Sequence, residues 1–435
     1  MKRRTFSARI SGMRIYFFSV GCVLLVSSFG LAGNGLPPGL LGPALVHTDI
    51  PVVETEHVDH APLHAEDAAK LSDPSQRGTV RFAVSLPASV DAQRQGLWQR
   101  LDDGWHLWRV ELVSPGALSL NLRFAVFDLP VGSRLWVHDP QGANLHGPYS
   151  DADRVGGLST PVVLGDRMVV ELVVPPGKRD EVRLEISEIN HGYRFFGEKR
   201  DAAKQGYCNI DVICPEGDGW RDQIRSVARY TVSGSSLCTG TLVNNTAEDD
   251  RPFFLTADHC GVREYNDHTV VVYWNYESPT CGLLSGGSLN DNQQGSTFRS
   301  TWDWDSGSDF TLLELDDVPD ASFDVYYSGW DASGDVPESA VAIHQPGGDE
   351  KAISFDYDSL GTIWGSHWKV FDWDLGTTEP GSSGSCIYDA ANGLCIGTLS
   401  GGYAACGNDE EDWFGKVSVS WTGGGSSARR TRSTR

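Results

Sequence analysis

Eight of the nine cysteines in this 435-residue chain fall between Cys208 and Cys406. That crowding constrains the fold more than any other feature. An even set of cysteines in one segment, behind an export signal, implies disulfides and an oxidising compartment. The signal stands at the start: Lys2, Arg3, Arg4, Arg9 and Arg14 precede an uncharged, mostly apolar run from Ile15 to Leu31, and Gly30-Leu31-Ala32 has the small-residue pattern of a cleavage site. Residues 1–32 therefore read as a signal peptide. The run has 17 residues, the low edge of a membrane span, so an uncleaved anchor is the alternative. Cys22, the ninth cysteine, lies inside it and reads as a signal-core residue rather than a lipidation site. Arg3-Arg4-Thr5-Phe6 hints at twin-arginine export, but disulfides argue against folding before export and favour the ordinary route.

Charge is unevenly shared. From Gln205 onward 35 Asp and Glu stand against 13 Lys and Arg, a net −22, while the preceding residues carry 23 against 22. Such a field repels nucleic acid and draws cationic partners, basic polypeptides among them; an acidic surface kept for solubility is the plainer reading. Residues 33–78, rich in Pro, Gly and Ala without clear period, read as a linker or early pro-segment. From Thr79 short runs alternate: Val80–Val84, Trp105–Val110, Leu118–Leu122, Arg134–His138, Met168–Val174 and Val182–Ile186. With Gly/Pro turns between them they predict a β-sandwich or jelly roll over 79–204, without cysteine. Beyond Cys208 the expected strands are Val227–Tyr230, Cys238–Val243, Phe253–Thr256, Val270–Tyr276, Phe310–Leu315, Ala340–His344 and Cys395–Ser400. Periodicity by itself says all-β.

Three stretches carry reactive side chains. Thr378-Glu379-Pro380-Gly381-Ser382-Ser383-Gly384-Ser385 sets a serine among glycines, which let the chain turn sharply and a carbonyl come close. Such a turn also aims N–H groups at one point, as an oxyanion hole requires. Alone such a run is more often a plain loop. Upstream, Phe253-Phe254-Leu255-Thr256-Ala257-Asp258-His259-Cys260 ends an apolar run in a histidine, and Ser308-Asp309-Phe310-Thr311-Leu312-Leu313-Glu314-Leu315 opens an apolar strand with an aspartate. The order His259, Asp309, Ser383 is that of the chymotrypsin-type triad. T-A-D-H-C resembles that family's T-A-x-H-C, and G-S-S-G-S its G-D-S-G-G. More closely, C-N-I-D-V-I-C-P-E-G-D-G, V-V-Y-W-N-Y, S-D-F-T-L-L-E-L, T-E-P-G-S-S-G-S and S-W-T-G-G-G look like the secreted bacterial lysyl endopeptidases, from about Cys208 to about Gly425.

The resemblance implies a chymotrypsin-like double β-barrel over 205–425 with the site between the barrels. The β-sandwich before it becomes a pro-domain, a folding aid and inhibitor; a sandwich that stays attached as a binding module is the rival. Lys199, Arg200 and Lys204 sit at the junction, and cleavage after Lys204 would free a chain starting at Gln205. The implied disulfides are Cys208–Cys406, Cys214–Cys281 and Cys238–Cys260. Cys386 and Cys395 are left over, flank a hairpin over Ile387–Leu394, and are expected to bond across it. The tail 426–435 is basic, and no C-terminal helix of the kind this fold normally packs on its second barrel is legible.

The same resemblance assigns roles. Ser383 is the nucleophile, His259 the base, Asp309 its orienting carboxylate, and the N–H groups of Gly381 and Ser383 the oxyanion hole. Ser382 stands where the wider family has the aspartate that pairs with a new N-terminus, so removal of the pro-domain is the expected switch. Thr377, six residues before Ser383, carries no charge, which rules out a trypsin-style pocket floor there. Asp412-Trp413-Phe414-Gly415-Lys416 instead matches D-x-[YF]-G-[RK], whose aspartate pairs with a substrate ammonium. Asp409, Glu410 and Glu411 crowd the same loop, so the assignment can slip, and a solvated acidic loop is the bland alternative. Ser400, Gly401 and Gly402 are the expected edge for substrate backbone, with Ser400 bonded to the triad aspartate. Trp364 matches a tryptophan beside the active-site histidine, or is core.

The expected function is thus a secreted, monomeric serine endopeptidase, made as a preproenzyme and cutting after lysine. Its partners would be lysine-containing proteins or peptides and its own pro-domain, with no nucleic acid and no stable membrane association. The same fold cutting after both lysine and arginine, and a non-catalytic binder using the sandwich, are the alternatives. No cofactor is expected and no metal cluster is seen: His344 and His367 lack ligand spacing, and Leu289-Asn290-Asp291-Asn292 reads as a loop rather than a calcium site.

Overall fold

The alternating runs become strands because every second side chain can turn inward. In the computed structural model, which describes residues 35–42, 49–71, 79–153, 157–194, 196 and 206–423, they build two sheets face to face. One runs Val52–Glu54, His106–Val113, Arg167–Val174, Arg134–His138, Leu145–Tyr149, with Leu97–Arg100 also on His106–Val113; the other runs Val163–Leu164, Ser119–Asp128, Arg183–Gly192, Ala83–Asp91, with Leu158–Ser159 on Ser119–Asp128. Trp108, Val110, Leu112, Leu120, Leu122 and Phe124 fill the space between. The expected signal peptide with Cys22, the junction residues Lys199, Arg200 and Lys204, and the tail 426–435 lie outside the described residues.

The described residues between 35 and 71 depart from the linker reading. Val52–Glu54 pairs parallel to Glu111–Val113, and the Gly39 N–H donates to the buried Glu171 at 2.8 Å. These residues cover the polar outer face of the sandwich. Next comes a helix, His60–Leu71. Its sequence has no apolar stripe to betray it; polar contacts hold it instead. Buried Asp67 accepts from the Tyr193 hydroxyl and pairs with Arg81 at 3.0 Å and Arg194 at 3.3 Å.

The helix also meets the sandwich through histidines. His60 Nε2 faces His191 Nε2 at 2.8 Å, and His191 Nδ1 meets the Ser114 hydroxyl at 2.7 Å. Burial first, then the charges of His60 and His57, push His191 down to about 4. His60 is lowered too, by burial, His64 and His57, against an opposing pull from Asp59. A lowered histidine means the folded state binds fewer protons than the unfolded chain. Its contribution is therefore present above pH 6.5 and is lost as pH falls toward 4, by about 3 kcal/mol. Hydrogen-exchange protection factors over His60–Leu71 are expected to drop between pH 7.5 and 4.5, and His60→Gln to flatten that dependence. Equal protection at both pH values contradicts it.

The run Val80–Val84 serves two sheets. Val80–Arg81 leaves the sandwich and pairs with Ser236–Leu237, and Phe82, fully buried, packs with Phe196, Leu237 and Tyr273. The described residues from Leu36 on therefore form one compact unit.

The remaining strands form two further sheets, one per barrel. The first runs Asn292–Gln294, Val271–Tyr273, Val227–Val232, Ser236–Val243, Phe253–Thr256, Phe310–Leu315, Ser296–Trp302. The second runs Ile210–Asp211, Ala352–Asp356, Ala340–His344, Cys386–Asp389, Cys395–Gly402, Asp412–Lys416, His367–Val370, Gly361–Ile363. This is the expected double barrel. A six-residue helix, Val417–Thr422, follows the last strand, where none was expected; it is too short to show a period. Four disulfides form: Cys208–Cys406, Cys214–Cys281 and Cys238–Cys260 pair as the resemblance implied, and the two cysteines left over, Cys386 and Cys395, bond to each other as expected. The last spans its hairpin with Cα atoms 5.7 Å apart.

Candidate active site

Strand register brings His259 to Asp309. Phe253–Thr256 pairs antiparallel with Phe310–Leu315, Thr256 opposite Thr311. The turn after one strand and the residue before the other therefore meet. Asp309, fully buried at φ +52°, accepts from the His259 backbone N–H at 2.9 Å on one oxygen and contacts His259 Nδ1 at 2.7 Å with the other. A carboxylate at that nitrogen holds the proton on Nδ1 and leaves Nε2 as an acceptor. The left-handed backbone of Asp309 is uncommon for a non-glycine residue and marks a position held by its surroundings. Next to His259, Cys260 is tied to Cys238.

The serine turn packs on the same structure. The Thr239 N–H donates to the Ser383 carbonyl at 2.9 Å, the Thr239 hydroxyl to that of Gly381 at 2.8 Å, and the Cys260 sulfur lies 3.8 Å from the Ser383 carbonyl oxygen. Gly384 has φ +84°, and a Cβ there would collide with the Thr256 hydroxyl and the Thr239 carbonyl; only glycine lets the turn sit so close. The Ser382 N–H donates to Glu379 O at 3.0 Å and that of Gly384 to Leu399 O at 2.9 Å. Among the described residues the N–H groups of Gly381 and Ser383 donate to no protein acceptor. No hydrogen bond there joins the Ser383 and His259 side chains; such contacts are often long in free enzymes and tighten with substrate.

Of the four consecutive acids only one is buried. Asp409 and Glu410 are exposed, Glu411 pairs with Lys369, and Asp412 is 1% exposed. Asp412 Oδ2 accepts from the Thr378 hydroxyl at 2.7 Å and the Trp373 indole at 2.8 Å. Its other oxygen lies against Gly402, where a Cβ would collide with it. Burial raises the carboxyl to about 6, opposed by the bonds from Thr378 and Trp373.

The family model described as Lysyl endopeptidase, C-terminal domain matches residues 202–415, and its companion, Lysyl endopeptidase N-terminal domain, matches residues 49–193. The chain belongs to the lysyl endopeptidase family. It is a serine endopeptidase, which sets aside the reading as a non-catalytic binder. A lysyl endopeptidase of Pseudomonas aeruginosa is 29% identical over 366 residues, covering 74% of this chain and 75% of that protein. Among solved structures, a Glu endopeptidase shares 17% identity over 50% of this chain and 95% of its own, with TM-score 0.35. A protease of Arthrobacter nicotinovorans shares 14% over 45% and 91%, also with TM-score 0.35.

Two expectations for this lysyl endopeptidase homologue change. The Ser400 hydroxyl, expected on Asp309, is buried without a hydrogen-bond partner among the described residues; both carboxylate oxygens of Asp309 are taken by His259. Trp364 makes no ring contact with His259 among the described residues. It is 57% exposed and meets Trp304 at 5.1 Å, Trp413 at 5.2 Å and His367 at 5.6 Å. The loop before Asp309 carries Trp304 against it. Ser382 holds no charge partner; its hydroxyl meets His344 Nδ1 at 2.8 Å, and burial lowers His344 to about 3, keeping it neutral.

Sequence reading missed Glu379. Its carboxylate accepts from the Gly206 N–H at 3.0 and 3.1 Å and from the Asn209 amide at 3.0 Å. It ties the start of the protease segment to the serine turn across some 170 residues, a contact without local signal. Trp304, Trp413 and Tyr403 were missed for the same reason.

Proposed function

We propose that this enzyme cuts peptide bonds on the carboxyl side of lysine. Ser383 Oγ attacks the scissile carbonyl, and His259 Nε2 takes the proton and returns it to the leaving amine. Asp309 holds the imidazole and stabilises its charged form. The N–H groups of Gly381 and Ser383 receive the oxyanion, each worth about 3–4 kcal/mol of barrier. Substrate backbone adds as a strand along Ser400, Gly401 and Gly402, and the lysine ammonium pairs with Asp412.

The burial of Asp412 beside Gly402 carries this reading. A dry carboxylate attracts a cation far more strongly than a solvated one. The hydrogen bonds also favour lysine over arginine. Thr378 and Trp373 both occupy Oδ2, whereas a guanidinium fork wants both oxygens and an ammonium needs one.

Residues 1–32 act as the export signal and 33–204 as the segment removed, with the mature chain beginning at Gln205. Val80–Arg81 and Phe82 rest on the strand that leads to Cys238 and Thr239, which supports a folding-template role for the sandwich. N-terminal sequencing of the secreted product, with cleavage-site profiling on a mixed protein digest, tests the whole reading. Gln205 first and lysine before nearly every cut are expected; equal cutting after arginine overturns the lysine assignment.

A further inference from the structure

The four aromatic residues Trp304, Trp364, Tyr403 and Trp413 come from separate parts of the chain and meet beside the expected substrate edge. Trp413 pairs directly opposite Gly401, as Asp412 does opposite Gly402. Opposed residues share a face of the sheet, and successive residues alternate. The face that holds Trp413 is therefore the one opposite Asp412. On it Gly401 leaves open space among the described residues: a Cβ there would meet none of them within 4 Å. Around that space Trp413 meets Tyr403 at 5.1 Å and Trp304 at 6.1 Å, and Trp364 packs edge-on to both tryptophans. Trp304 reaches across from the first barrel, from the loop that ends at Asp309.

Two features suggest that this is more than packing. Trp364 is 57% and Tyr403 46% exposed, although large aromatic surface gains most when buried. Trp364 also sits at φ +52°, a backbone state that a bulky residue rarely adopts without cause.

The geometry points to a second specificity subsite: this cluster takes an aromatic side chain of the substrate lying one or three residues before the lysine. This rests on the proposed lysine site and the strand addition along Ser400–Gly402. In an extended peptide the lysine and the residue two before it point one way. The residues one and three before it point the other, toward Trp413. An aromatic ring there stacks edge-to-face on Trp364 and Tyr403 and shields both from water.

The test uses the mature enzyme and lysyl peptides carrying Phe or Ala at each of the three positions before the lysine. The kcat/KM ratio of Phe to Ala is expected to be about tenfold at one or both of the two outer-face positions, the size of one good aromatic contact, and close to one at the intervening position. Trp364→Ala and Tyr403→Ala are expected to bring that ratio toward one; as surface changes they leave the buried Trp413 in place. Quenching of tryptophan fluorescence when the Phe peptide binds Ser383→Ala gives a readout independent of turnover. A flat ratio at both outer-face positions in an enzyme that cleaves lysyl peptides overturns the subsite alone. Failure to cleave any lysyl peptide overturns the lysine assignment instead.

Discussion

Ser383→Ala is expected to lower kcat by roughly 10⁶-fold, the scale seen when the nucleophile of a serine protease is removed. The residual rate would come from the remaining N–H donors and from binding. The fold should survive: the turn is held by backbone bonds from Thr239 and to Leu399 and by the glycine contact at 384, none of which uses the Ser383 hydroxyl. The measurement is single-turnover hydrolysis of a lysyl ester, with labelling by a fluorophosphonate. Wild-type protein should be labelled and the variant not. Persistent labelling, or a loss of less than about a hundredfold, would move the nucleophile elsewhere, since the residual power of the site without its serine is far below that.

Asp412→Asn is expected to reduce kcat/KM on lysyl peptides by about 10²- to 10³-fold. Removing one partner of a buried ion pair costs about 3–5 kcal/mol, because the other charge is left unpaired out of water. Substrates with a neutral, unbranched residue in place of lysine should lose little. The substitution keeps the shape and one acceptor for Thr378 and Trp373, so it tests charge rather than packing. It also has a pH signature. With the carboxyl raised to about 6 by burial, the free enzyme holds a proton on Asp412 below that pH and its charge above it. The ratio of lysyl to neutral-substrate kcat/KM should therefore fall as pH drops through about 6. It should be flat in Asp412→Asn. Taking the ratio cancels the protonation of His259, which both substrates share. An unchanged lysyl preference in the variant would shift the assignment to Glu411 or another acid of the loop.

How far the chain could be read in advance differs from element to element. Phe253–Thr256, Phe310–Leu315 and Ala340–His344 have the expected bounds, because a short apolar run between turn residues has few other uses in an all-β chain. The helix His60–Leu71 was not legible: its stabilising contacts are Asp67 with two arginines from elsewhere and His60 with His191, all remote in sequence. The Ser400 hydroxyl misled because a family habit was carried to a site where, among the described residues, His259 takes both oxygens of Asp309. Trp364 misled because its neighbours include Trp304, about 60 residues away in sequence but only 5.1 Å away in space.

The amino-acid order alone determined which groups could do chemistry and in what sequence they occur, along with the all-β character and the cysteines available to cross-link. Those properties are local: residue type, period and turn chemistry are written over a few positions. Which of Asp409, Glu410, Glu411 and Asp412 lies in the dark beside Gly402, and which aromatic rings gather over Gly401, only the tertiary structure decided. A one-residue change of strand register exchanges inner and outer faces, and that register is settled by packing across two barrels rather than within any single stretch.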